Sequence, residues 1–207
     1  RTPRDGRAPR VATRTVTRSK KELEQVHVCL GARAYPQAHP DRYACYVLNT
    51  VLGGSMSSRL FQNVREKRGL VYSISSGLTA YSDAGLLTIY AGTSLDSVPE
   101  VIRLTLEEIR RVRGELLGEE ELRRAKDHIK GGLVLSLESS GARMSHLARQ
   151  EIYFGRQFAV DEILGSIESV SAEDVRRVAA EVFDGRLAAS VLGNLRGWRP
   201  RERELRV

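Results

Sequence analysis

Apolar positions along the chain change their period several times, and each change marks an element. Gln25 to Gly31 (Gln-Val-His-Val-Cys-Leu-Gly) is short, β-branched and closed by glycine, which predicts a strand. An extended stretch from Val11 to Thr17 is a candidate to pair with it. Asp41 to Leu52 carries helical periodicity between Pro40 and Gly53-Gly54, and a second helix is predicted over Ser57 to Lys67, ending before Gly69. Leu70 to Ala80 and Gly85 to Thr93 then read as two antiparallel strands joined by Tyr-Ser-Asp-Ala.

From Ser97 onward the period is helical almost throughout. Ser97-Val-Pro-Glu100 matches a capping box, and Val98, Val101, Ile102, Ile109 and Val112 fall on one face of a helix that Gly114 ends. Glu119-Glu120-Glu121 opens a longer helix through Leu122, Ala125, Ile129, Leu133 and Leu137. Gly141 to Phe154 and Phe158 to Val170 are predicted helical. Ser171-Ala-Glu-Asp174 starts a further helix reaching Phe183, and Leu187 to Leu192 is a returning strand. Strands early, helices late and one strand at the end predict an α+β fold: an antiparallel-rich sheet packed with helices.

Length and charge refine this picture. A chain of 207 residues can bury a sizeable core, and no stretch approaches the roughly 20 apolar residues of a membrane-spanning helix. The formal charge of +7 is concentrated at the ends: residues 1–21 carry +7, the tail from Leu195 carries +3, and the body between carries −3. A basic face for nucleic acid is therefore not indicated, although an arm that binds an anionic partner predicts steeply salt-dependent binding. Residues 1–21 read as a basic linker or arm, 22–193 as the α+β domain and 194–207 as a basic tail. Cys29 and Cys45, each in an apolar stretch, read as two buried free thiols, which favours a reducing compartment.

No complete active site is visible. His27, His39, His128 and His146 are at least 12 residues apart, so no pair has the i, i+4 spacing that lets one helical face hold zinc. His128 reads as a surface residue. No G-x-S-x-G elbow occurs, Gly53-Gly54-Ser55 reads as a flexible helix-to-helix connection, and Gly131-Gly132 lie inside a helical run. The conspicuous segment is Ser58-Arg-Leu-Phe-Gln-Asn-Val-Arg-Glu-Lys-Arg-Gly-Leu-Val-Tyr-Ser-Ile-Ser-Ser76, where a basic helix breaks at Gly69 and becomes a strand. Arg65 and Tyr72 then stand across a turn. On pattern alone the plainer reading has Tyr72 packed in a sheet and Arg65 solvated.

That segment resembles the C-terminal-domain signature of the pitrilysin/insulinase family of zinc metallopeptidases, and in particular its bacterial, processing-peptidase-like branch. Leu48 to Phe61 resembles the family's paired helices, Leu86 to Leu95 the following strand and turn, and Glu121 to Phe154 its long helical hairpin. The resemblance covers most of residues 22–193. It implies one half of a two-domain clamshell that closes on an extended peptide, with zinc and its H-x-x-E-H ligands on the other half or on a partner subunit. It further implies that this chain lacks metal ligands, that Tyr72 is the oxyanion or substrate-carbonyl donor, and that Arg65 binds substrate, with Arg68 as fallback one turn on. A phenol suits charge developing on an oxygen, and a guanidinium suits clamping a carbonyl or carboxylate. Residues 1–21 become interdomain linker on this reading. The expected function is substrate positioning in a zinc endopeptidase acting on peptides or unfolded segments, with the chain inactive alone; the alternative is a non-catalytic core subunit of the same family. Expected partners are the zinc-bearing half, an extended peptide and a further copy of the chain, without nucleic acid or a membrane span. The expected compartment is bacterial cytoplasm, with the periplasm and an organelle left open.

Overall fold

The computed structural model describes residues 12–207. Five strands form one sheet: β1 (Thr15–Ser19), β2 (Val26–Ala34), β3 (Val71–Ala80), β4 (Gly85–Thr93) and β5 (Ala188–Gly193), in the order β1-β5-β2-β4-β3. The helices are α1 (Arg42–Leu52), α2 (Val98–Gly114), α3 (Glu119–Ser136), α4 (Ser140–Phe154), α5 (Val160–Glu168) and α6 (Ala172–Val182), with a π-helical turn at Phe61–Glu66.

Strand alternation decides which side of the sheet is covered. Val26, Val28 and Leu30 of β2, Leu87 and Ile89 of β4, and Ala189 and Val191 of β5 are buried, and they share one core with Leu48 of α1, Ile109 of α2 and Val178 of α6. The alternate positions point the other way. Val16, Ser190, Cys29, Tyr90 and Ser75 lie side by side across that opposite face, and none of them is buried. The sheet thus has one helix-covered face and one open face.

Several expectations are corrected here. The N-terminal strand pairs in parallel with β5, which separates it from β2, so it does not pair with β2 as expected; Val11 lies outside the described residues. Ser97 makes no capping box. A 3-10 turn, Leu95–Ser97, leads straight into α2 and leaves Ser97 in helical geometry, so its hydroxyl meets Ser94 while Glu100 pairs with Arg103. A capping box does form at Ser171 and Asp174, heading α6. Cys45 is buried in the core, where burial pushes its thiol pKa up to about 12, but Cys29 is only half-buried because it sits on the open face. The packed body also runs past residue 193: Leu195 and Leu205 are in the core, and Trp198 packs against it.

The join between α1 and the segment after it is tight rather than flexible. A methyl group on Gly53 would stand 2.6 Å from the Ser76 backbone nitrogen, which itself donates to the Gly53 carbonyl at 2.9 Å. Ser76 Oγ in turn donates to Asn49 Oδ1 at 2.8 Å. The end of α1 is thereby pressed onto β3, and this contact fixes where the following π turn can go.

Candidate functional site

Inward-facing residues hold the segment from Ser58 to Ser76 in place. Ser58, Leu60 and Val64 are buried. Arg59 forms a two-pronged ion pair with Glu121 at the start of α3, both contacts at 2.7 Å, and Asn63 donates to the buried Glu108 of α2. Such a fork-to-carboxylate pair fixes direction as well as distance. The turn is therefore anchored to two helices on one side, and its other side carries Arg65.

Gly69 closes the helical turn. Its φ of +62° lies in the left-handed region open to glycine at little cost, and the N–H groups of Gly69 and Leu70 donate back to the carbonyls of Arg65 and Val64. The chain then enters β3 through a β-bulge. Val71 pairs with Thr93 and Ser73 with Gly92, so Tyr72 is the extra residue with no partner opposite.

The bulge decides where Tyr72 points. Ile74 and Ser76 face the helices and are buried, and continued alternation would send Tyr72 inward and Val71 outward. One inserted residue reverses this: Val71 is buried and Tyr72 is 65 % exposed. Arg65 is also exposed, its guanidinium stacked over the Phe61 ring at 4.7 Å. No hydrogen bond joins Arg65 to Tyr72 among the described residues; both are exposed, on elements linked by the Gly69 turn. Arg68 is otherwise engaged, since it donates to the carbonyl and side-chain oxygens of Asn63 within the same turn.

Sequence reasoning missed the polar group beside Tyr72 on the open face. Gly92 has no side chain, and Gln25 Oε1, Ser73 Oγ and Tyr90 Oη gather over it, at 2.9, 3.3 and 3.3 Å from where a Cβ would stand. Tyr90 Oη also bonds His27 Nδ1 at 2.8 Å. A glycine amid alternating strand residues was the available signal, as such a glycine often marks a close approach. Strand β3 is besides an edge strand, so its outer backbone groups face away from the sheet.

Zinc does not fit the residues present. Among the described residues no group of three or more His, Cys, Asp or Glu could hold a metal ion. The histidines are dispersed and engaged separately: His27 with Tyr90, His39 stacked on Tyr35 at 3.9 Å, His146 with Gln150, and His128 exposed on α3.

The segment thus carries an exposed rim, with Arg65 on the π turn and Tyr72 on the bulge that leads into the sheet. A family model described as the peptidase M16 inactive domain matches residues 1–129, the stretch that holds this rim. The chain belongs to the M16 peptidase family. An uncharacterized zinc protease of Streptomyces coelicolor is 41% identical over 195 residues, covering 91% of this chain and 42% of that protein. The uncharacterized zinc protease YmxG of Bacillus subtilis is 41% identical over 175 residues, covering 84% of this chain and 42% of that protein. The chain therefore spans less than half the length of these relatives. A chain of complex III2 from Candida albicans superposes with a TM-score of 0.83 at 20% identity, over 95% of this chain and 50% of that one, a likeness of fold alone. What the chain carries is the inactive, C-terminal domain of an M16 zinc-protease-like protein, and no helix among its described residues is long and apolar enough to cross a membrane.

Proposed function

We propose that this domain positions extended peptide substrate for a zinc-bearing catalytic half, with Tyr72 and Arg65 as the groups that reach the substrate. The bulge at Tyr72 carries this reading, because it exposes a phenol that strand alternation would bury, and the turn just before it carries an exposed guanidinium. An exposed tyrosine held by a backbone irregularity costs a ladder pairing, and bulges commonly re-aim side chains next to active sites. The metal and its ligands belong to the catalytic half, since the residues here do not fit them.

In that role the Tyr72 hydroxyl donates to the carbonyl oxygen of the bound peptide as negative charge develops on it. A hydrogen bond that strengthens only as the charge grows accelerates the reaction instead of merely tightening binding. Arg65 cannot lose its proton at ordinary pH and offers several N–H donors, so it holds a backbone carbonyl or carboxylate of the same peptide. Arg68, committed to Asn63, is the less available cation.

The test is kinetic, on a protein in which this domain is joined to its catalytic half. Tyr72→Phe keeps the ring and should lower kcat by roughly 100- to 1,000-fold with melting temperature and zinc content unchanged. Arg65→Lys should act mainly on kcat/KM, because a point charge replaces a planar fork. Wild-type turnover in Tyr72→Phe would sink the proposal and favour a non-catalytic core subunit.

A further inference from the structure

A cavity of about 230 Å³ lies among α1, α3, α4 and α5, on the helical side of the molecule and apart from the Tyr72 rim. Its walls are largely apolar, built from Leu133 of α3, Phe154 ending α4, Phe158 after it, and Ile163 and Ile167 of α5. The amide side chains in the wall are engaged. Gln150 bonds His146 and accepts from the Phe158 N–H, and Gln37 donates to the Tyr46 hydroxyl at 3.2 Å.

The charge on the lining is one-sided. Arg42 and Arg149 line the cavity, and no Asp or Glu among the described residues does. Elsewhere in the molecule guanidinium groups meet carboxylates, as in Arg59–Glu121, Arg103–Glu100 and Arg177–Asp41. Arg149 has no carboxylate partner among the described residues. Arg42 is held rigidly by aromatic rings, its guanidinium carbon 4.4 Å from the Tyr43 centroid, 4.9 Å from Phe154 and 5.5 Å from Phe158. Among the described residues its hydrogen bonds go only to the His39 carbonyl at 3.4 Å and the Tyr43 hydroxyl at 3.2 Å. A guanidinium has five N–H donors, so most of its capacity to bind an anion is unspent.

We propose that this cavity binds a carboxylate carried on an apolar chain, the chain lying against Leu133, Phe154, Phe158 and Ile163 and the carboxylate meeting Arg42 and Arg149. Apolar burial supplies the affinity for the chain, and the two guanidinium groups in the lining select the anion over a neutral or cationic head group. A free acyl carboxylate and the C-terminus of a peptide ending in apolar residues share this chemistry.

Calorimetry on the purified chain with octanoate, octanol and octylammonium tests it, at concentrations below micelle formation. Octanoate should bind at one site per chain, with octanol and octylammonium weaker by roughly tenfold or more, the scale of a lost charge-assisted contact. Arg149→Gln should weaken octanoate, and Leu133→Trp, which fills the cavity, should abolish its binding while the far-ultraviolet spectrum stays native. Arg42→Gln should do likewise, and because Arg42 also packs three rings, the other two variants carry the test if that one fails to fold. A peptide ending in leucine, as free acid and as amide, separates the sources: binding of the acid but not the amide assigns a peptide C-terminus, and binding of octanoate alone assigns an acyl chain. Octanol binding as tightly as octanoate, octanoate binding that survives both Arg149→Gln and Leu133→Trp, or no octanoate binding would overturn the proposal.

Discussion

Gly53 shows how much of the rim depends on an atom that is missing. Its Cα lies so close to β3 that an added methyl would stand 2.6 Å from the Ser76 nitrogen, 2.9 Å from its Oγ and 3.0 Å from its Cβ. The nearest of these is backbone, so relief requires separating α1 from β3. Gly53→Ala should therefore destabilise by about 1–3 kcal/mol, the usual cost of overpacking, despite alanine's better helix propensity. Urea unfolding measures it; a stability equal to wild type would show that the junction yields freely. Because the π turn starts from this junction, the same variant should also blunt the positioning of Arg65. The sequence suggested a flexible joint here, since two glycines in a row carry that meaning locally, and only the strand packed against them reverses it.

Between elements, charged pairs do what the core does not reach. Asp41, just ahead of α1, does not cap that helix; its carboxylate takes both prongs of Arg177 on α6, at 2.6 and 2.9 Å. The hydrogen bonds from Arg177 hold the Asp41 pKa below the ordinary carboxylate value. A carboxyl group whose pKa is lowered by folding stabilises the protein above its unfolded pKa, about 3.9, and the contribution is lost as pH falls through the lowered value. Asp41→Asn should accordingly cost about 1 kcal/mol at pH 7, as the pair is partly exposed, and progressively less below about pH 4, where the unfolded wild-type chain takes up a proton that the native pair resists. Paired unfolding curves at pH 7 and pH 3 decide this; an equal cost at both would mean that packing and not charge joins α1 to α6. The helices themselves were legible from period and punctuation. Their partners were not: nothing local to Asp41 or Arg177, 136 positions apart, announces the pair.

At the scale of the molecule, two surfaces are left uncovered. One is the open sheet face with Tyr90 and His27; the other is the α3–α4 hairpin, where Val134, Leu135, Met144, Leu147 and Ile152 are exposed and only Ala125, Lys126 and Gln150 are buried. Apolar surface of this extent commonly marks a partner interface. Mixed with a separately produced catalytic half, the chain should lose much of its binding of a hydrophobic dye, and dye fluorescence unchanged by that half would argue against pairing through these surfaces. After dialysis the chain alone should retain no stoichiometric zinc, which elemental analysis reads directly; about one tightly held zinc per chain would require a site built from residues that the fold keeps apart.

The sequence by itself determined the elements, the α+β class and the family, because apolar period, glycine and proline punctuation and the ordered motifs from Leu48 to Ser76 are local properties. It also determined that no helical zinc pair exists, since that spacing is written in the chain. Tertiary structure alone decided that β5 comes between β1 and β2, that Gly53 is an abutment and that Tyr72 faces outward. The reason in each case is the same. Strand order, close approach and a one-residue bulge arise from pairing between segments distant in sequence, and a shift of one residue in that pairing reverses which side chain reaches solvent.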